Sequence, residues 1–204
     1  MSEPRVRIVL ASRNEGKLAE LRRILGPHYE LVGLPESAPD VAETGATFEE
    51  NALLKAHAAV AETGLISVAD DSGLTVDELN GMPGVLSARW SGLPAGDPTR
   101  DDANLRLVLA QLSEAPAERR GAAFVCAAAV AFPDGREHVL RGEVRGRLLR
   151  APQGSGGFGY DPIFIPDGET RTTAEMSPAE KDAISHRGRA FRALSVKLPE
   201  LLGG

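Results

Sequence analysis

Cysteine is all but missing from these 204 residues: Cys126 stands alone. One thiol cannot close an internal disulfide or build a cysteine zinc site, and such sparing use fits a reducing cytosol. Long apolar runs are missing too. No stretch approaches the about 20 residues a membrane helix needs, and Arg5 and Arg7 interrupt the first apolar segment where a signal sequence would run on. The expectation is a cytoplasmic protein with no membrane partner. Positive charge is in deficit, with 23 Lys and Arg against 29 Asp and Glu and a net charge of −6. A general nucleic-acid binder lacks its electrostatic footprint here. A small anionic substrate stays open if basic residues converge locally.

Several familiar motifs are absent on inspection. Gly16-Lys17 resembles the end of a P-loop, but Ala11 stands where the first glycine belongs and Leu18 replaces the Ser or Thr that would meet Mg2+. Gly154 to Gly159 reads G-x-G-x-x-G, yet Tyr160-Asp161-Pro162 and a strand follow where a dinucleotide fingerprint would open a helix. No G-x-S-x-G elbow exists. His28, His57, His138 and His186 have no metal-ligand spacing, and the first three read as solvated surface.

What is there is an ordinary globular composition, 42% hydrophobic and 25% charged, long enough for one sizeable core or two lobes sharing a sheet. Residues 5–11 predict a strand, and from Lys17 the spacing Leu18, Leu21, Leu25 predicts a helix with Asn14 as N-cap. A short strand is predicted from Tyr29 to Gly33. Thr47 opens a second helix with a capping box to Glu50, running to about Thr63, and residues 65–69 predict the next strand. A long loop covers 85–98 and a helix spans 99–113. The apolar run 122–132, the turn Pro133-Asp134-Gly135 and the segment 137–143 predict a hairpin, so the sheet is mixed. A strand at 162–165 follows the glycine-rich loop. Ser177-Pro178-Ala179-Glu180 is a strong helix start, and Gly188 is expected to separate that short helix from the last one. The class is α/β.

Chemistry gathers in three patches. Ser12 to Lys17 is a loop and helix start, with a cation where the helix dipole disfavours one, unless an anion binds there. Glu43 with Asp70-Asp71 is acidic. The Asp pair is expected where a buried strand emerges into a loop, one carboxylate aimed inward and one bracing the turn, a natural place for Mg2+. The third patch is the glycine-rich loop with Phe158-Gly159-Tyr160-Asp161, then Lys181 and Ser185-His186-Arg187. An aromatic there either stacks on a base or belongs to the core; in isolation Lys181 and Arg187 would be solvated charges. A nucleoside triphosphate would use all three patches.

Six ordered motifs span the chain: Ser12-x-Asn14-x-x-Lys17, Thr47-Phe-x-Glu-Asn51-Ala-x-x-Lys55-Ala, Ala69-Asp-Asp-Ser-Gly73, Pro83-Gly84-x-x-Ser87-Ala-Arg89, Gly156-Gly-Phe-Gly-Tyr-Asp-Pro162 and Ser185-His-Arg187. Together they resemble the inosine triphosphate pyrophosphatase family, which hydrolyses noncanonical purine nucleoside triphosphates. Arg13 departs from the small residue often found at that place. The resemblance implies one domain over 1–204: an elongated mixed sheet flanked by helices, in two lobes with an active-site cleft between them, and a homodimer. It implies Mg2+-dependent cleavage of dITP/ITP and XTP/dXTP to the monophosphate and pyrophosphate. Asp71 matches the general base and a metal ligand, and Glu43 a further metal ligand. Ser12, Arg13, Asn14, Glu15, Gly16, Lys17, Ser72, Phe158, Gly159, Tyr160, Asp161, Lys181, His186 and Arg187 match substrate-contacting positions. Lys55 adds to phosphate neutralisation, and Asp70 supports the metal shell through water. A Maf-like pyrophosphatase acting on modified pyrimidine triphosphates is the rival enzyme, and a nucleotide-sensing binding module the rival without catalysis.

Overall fold

The structure, a computed structural model, describes residues 5–203. Its strands follow from alternation and apolar runs, and its helices from their caps. β1 (Val6–Leu10) runs parallel to both β2 (Tyr29–Gly33) and β3 (Ile66–Val76). Parallel neighbours need crossover connections, and α1 (Glu15–Leu25) and α2 (Phe48–Thr63) supply them. Asn14 caps α1 by accepting from the Lys17 N–H at 3.0 Å. Thr47 caps α2 by accepting from Glu50 N at 3.1 Å. The reciprocal bond of the expected box lands one residue early, on Ala46 N.

The rest of the sheet comes from β4 (Gly121–Ala131), β5 (Glu137–Leu148) and β6 (Phe164–Pro166), giving the order β2-β1-β3-β4-β5-β6. β5 and β6 are antiparallel, so the sheet is mixed as expected. The remaining helices are α3 (Arg100–Gln111), α4 (Pro178–Ile184) and α5 (His186–Gly203).

The chain divides into two compact units. Residues 5–71, 126–142 and 187–203 of the described chain form the first. Its core joins Ile8, Leu10, Leu21, Val68, Phe191, Leu194 and Leu198, each at most 2% exposed. Burying a side chain of this size contributes about 1.5–3 kcal/mol, which fixes α1 and α5 as platforms for the polar residues they carry. Residues 72–125 and 143–186 form the second unit, with Leu74, Val108, Leu112, Ile163 and Phe164 at its centre. There the capping box at Ser177 is complete. The Ser177 backbone N–H, its hydroxyl and Arg171 hold the Glu180 carboxyl down at about 2.

Four boundaries differ from expectation. β3 does not end before the Asp pair but continues through it to Val76, because cations from helices neutralise both carboxylates within the strand. β5 extends to Leu148. Asp161–Ile163 is a 3-10 turn, and only then does β6 begin. The helical break falls at Ser185, whose ψ of 143° leaves the helix, while Gly188 is buried inside α5. Serine in that place suits an N-cap better than a glycine one turn on would suit a break.

Candidate active site

Because β3 continues, its alternation sends Asp70 and Asp71 to opposite faces. Each meets its own cations, all within the first unit. Asp70, its side chain 2% exposed, accepts from Lys17 Nζ on α1 at 3.0 and 3.1 Å and from Arg187 Nε on α5 at 3.3 Å. Arg187 also reaches Glu20 at 3.8 Å. Burial opposes ionisation of Asp70, but Lys17 and Arg187 outweigh it and hold the carboxyl at about 2. Expected to support a metal shell, Asp70 has as its partners two cations of the candidate substrate set.

On the other face Asp71 accepts from Lys55 Nζ at 3.0 Å and from Asn51 Nδ2 at 3.2 Å. The same ammonium donates to Glu43 at 2.8 Å. Burial pushes the Asp71 carboxyl above the ordinary carboxylate value; Lys55 opposes this and Glu43 adds to it. Burial would lower the Lys55 ammonium, yet Asp71 and Glu43 together raise it. Two hard oxygen donors from separate segments therefore already converge on one positive charge. Among the described residues no group of three or more His, Cys, Asp or Glu is gathered around a metal position. One or two carboxylates, with water and phosphate oxygens completing the shell, is the donor set Mg2+ takes at phosphate sites. Glu43 and Asp71 fit it.

The loop ahead of α1 is held by its own side chains. Ser12 Oγ accepts from Asn14 N at 3.1 Å. Arg13 turns away to Asp40 Oδ1 at 2.7 Å and to the Ala38 carbonyl. Glu15 and Gly16 are exposed in the first helical turn. A cavity of about 290 Å³ in this unit is lined by Ser12, Arg13, Leu34, Val41, Lys55 and Glu62, among others.

The second unit holds the aromatic and glycine-rich set. Asp161, 2% exposed, anchors the loop from within. It accepts from Phe158 N at 2.8 Å, from Thr173 Oγ1 at 2.8 Å and from the Lys181 ammonium. Gly157 has φ +72°, and a Cβ there would strike the Asp161 carboxylate, so only glycine suits both conformation and space. Gly159 N donates to Asp101 at 3.0 Å. Phe158 is 71% exposed, with Lys181 Nζ 4.7 Å from its ring centre; Tyr160 is buried, its hydroxyl donating to the Ser87 carbonyl at 2.8 Å. Of the two roles open to these aromatics, the core role goes to Tyr160 and the exposed face to Phe158. His186 stacks on Phe124 at 5.2 Å and 17°, and Phe164 braces Phe124 at 4.6 Å. Ser72 is half-buried at the start of this unit.

The third sequence patch is thus divided. Phe158, Gly159, Tyr160, Asp161, Lys181 and His186 lie in the second unit, whereas Arg187 shares Asp70 with Lys17 in the first. Sequence reasoning passed over Asp101, Phe124 and Thr173, and gave no role to Asn51 although it stands in the second motif. Only Asn51 carried a signal: an amide at a position of α2 otherwise facing inward, between Phe48 and Ala52.

Comparison with known proteins agrees along the whole chain. The Ham1 family model matches residues 8–197. A dITP/XTP pyrophosphatase of Frankia alni is 64% identical over 201 residues, covering 97% of this chain and 99% of that protein. Its counterpart in Streptomyces coelicolor is 59% identical over 202 residues, covering 97% and 99%. Among solved structures, a nucleoside-triphosphatase / dITP/XTP pyrophosphatase from Mycobacterium abscessus matches with a TM-score of 0.79 at 58% identity, over 93% of this chain and 98% of that one. A Ham1 protein from Coxiella burnetii gives 0.88 at 43% identity, over 96% and 99%.

Proposed function

The chain belongs to the Ham1 family, and from that premise we propose that it hydrolyses dITP/ITP and XTP/dXTP to the nucleoside monophosphate and pyrophosphate. The observation that carries the mechanism is the Lys55 ammonium gripped by Glu43 and Asp71. The names of its relatives, dITP/XTP pyrophosphatases at 64% and 59% identity, favour purine substrates over the modified pyrimidines of the Maf-like alternative. Residues 1–204 act as one catalytic domain, in a homodimer in the cytoplasm.

Glu43 and Asp71 would hold Mg2+, which when bound offsets the charge of the polyphosphate and acidifies a water. Asp71 accepts the proton of the water that attacks the α-phosphorus. The bond from α-phosphorus to the bridging oxygen breaks, and pyrophosphate leaves intact. Lys17, Lys55 and the first-turn N–H groups of α1, beside Ser12, Asn14 and Gly16, stabilise the charge growing on it.

The base is assigned to the second set. The exposed ring of Phe158 offers a stacking face, with Gly159, Asp161 and Lys181 shaping its surroundings. A donor from His186 pairs with a 6-keto oxygen and would meet adenine's amino group donor to donor. A site built around such a bond rejects the wrong partner strongly, because its own groups are then left unpaired. Side-by-side kcat/KM for dITP, XTP, GTP, ATP and a modified pyrimidine triphosphate tests the reading. The expected order places dITP and XTP far above ATP and the pyrimidine; equal turnover of ATP and dITP would end it.

A further inference from the structure

Asn51 is fully shielded from solvent on the inward face of α2. A buried amide must have its hydrogen bonds met, and those of Asn51 go to two segments far apart in the chain. Its Nδ2 donates to Asp71 Oδ2 at 3.2 Å, and its Oδ1 accepts from Gly45 N at 2.8 Å. The partners dictate the amide's orientation. A carboxylate only accepts and a backbone N–H only donates, so a flipped amide would face both partners with the wrong polarity. Aspartate would set two carboxylates together, and leucine of similar bulk would leave both partners unmet. Gly45 is fitted to the contact: a Cβ there would lie 2.8 Å from Asn51 Oδ1 and 2.7 Å from the Glu50 Cβ.

Gly45 stands two residues after Glu43. Lys55, one helical turn beyond Asn51 on α2, bonds both Glu43 and Asp71 with its ammonium. We propose that Asn51 is a positioning residue: it couples the Glu43–Gly45 segment to Asp71 and so sets the separation of the two carboxylates that receive the divalent cation. The inference rests on the metal assignment made above, and extends it to a residue that touches neither metal nor substrate.

The test is a double-mutant cycle between Asn51→Leu and Gly45→Ala, with Asn51→Asp as a third variant. Two properties are read on the nucleotide-free full chain: Mn2+ affinity by calorimetry, and hydrogen exchange at the Gly45 amide. Groups that orient metal ligands from behind change affinity by about 10–100-fold when replaced. Asn51→Leu and Asn51→Asp are each expected to weaken Mn2+ binding by about tenfold or more. Gly45→Ala should do the same from the other end, and the double variant should be no worse than either single one. The Gly45 amide should exchange faster in Asn51→Leu yet stay protected in Asn51→Asp, which keeps the acceptor. A general packing defect would not produce that split. Mn2+ affinity within twofold of native in Asn51→Leu, or strictly additive losses in the double variant, would overturn the proposal. If Asn51→Leu does not fold, Gly45→Ala decides alone by the same twofold criterion. A native chain without measurable Mn2+ affinity would remove the metal assignment and this inference together; native affinity with unaffected variants would remove this inference only.

Discussion

At the scale of single residues, the proposed chemistry rests on how one strand separates two neighbouring carboxylates. Asp70 is held ionised by two cations, whereas Asp71 is pushed toward neutrality by burial and keeps one ammonium and one amide. Same residue type, adjacent positions, opposite shifts: the environment sets the ionisation of each. In the proposed mechanism Asp71, which shares Lys55 with Glu43, takes the proton. Asp71→Asn keeps shape and the contact with Lys55 but cannot take the proton, so kcat for dITP should fall by at least about 10²–10⁴-fold. Circular dichroism and melting should show the fold intact. Near-native turnover by that variant with Mg2+ present would refute the assignment.

At the scale of elements, the ion cluster Lys17–Asp70–Arg187 joins α1, β3 and α5 in the first unit. Its contribution has a defined pH window. Asp70 is depressed from an ordinary 3.8 to about 2, so its stabilisation is fully present above pH 4 and is lost as pH falls toward 2. A shift of that size corresponds to about 2 kcal/mol. In metal-free protein, Asp70→Asn should therefore be about 2 kcal/mol less stable at pH 7 by denaturant titration, with the gap closing between pH 4 and pH 2. A gap independent of pH would show that the carboxylate's charge is not its source. The same cluster explains what sequence pattern could and could not reveal. Caps at Asn14, Thr47 and Ser177 were legible because each is settled within four residues. The run of β3 through two aspartates was not, since the cations that make it tolerable come from positions 17, 55 and 187. What Asn51 bonds was hidden for the same reason, although the residue stands in a motif: its partner Asp71 lies 20 residues away.

At the scale of the whole molecule, the candidate residues are spread from Ser12 to Arg187 and fall into two compact units. The family motifs in the sequence located these residues; the structure supplied their partners, moving Arg187 to Asp70 and turning Tyr160 into a buried brace. The first unit carries the carboxylates and lysines suited to phosphate and metal, and the second carries the exposed aromatic suited to a base. Cleavage of the pyrophosphatase kind requires attack at the α-phosphorus, and with Asp71 as the proposed base the oxygen of the attacking water ends in the monophosphate. Turnover of dITP with Mg2+ in ¹⁸O-labelled water, followed by mass spectrometry of both products, measures this directly. One labelled oxygen is expected in dIMP and none in pyrophosphate. Label in pyrophosphate, or release of orthophosphate in its place, would contradict attack at the α-phosphorus.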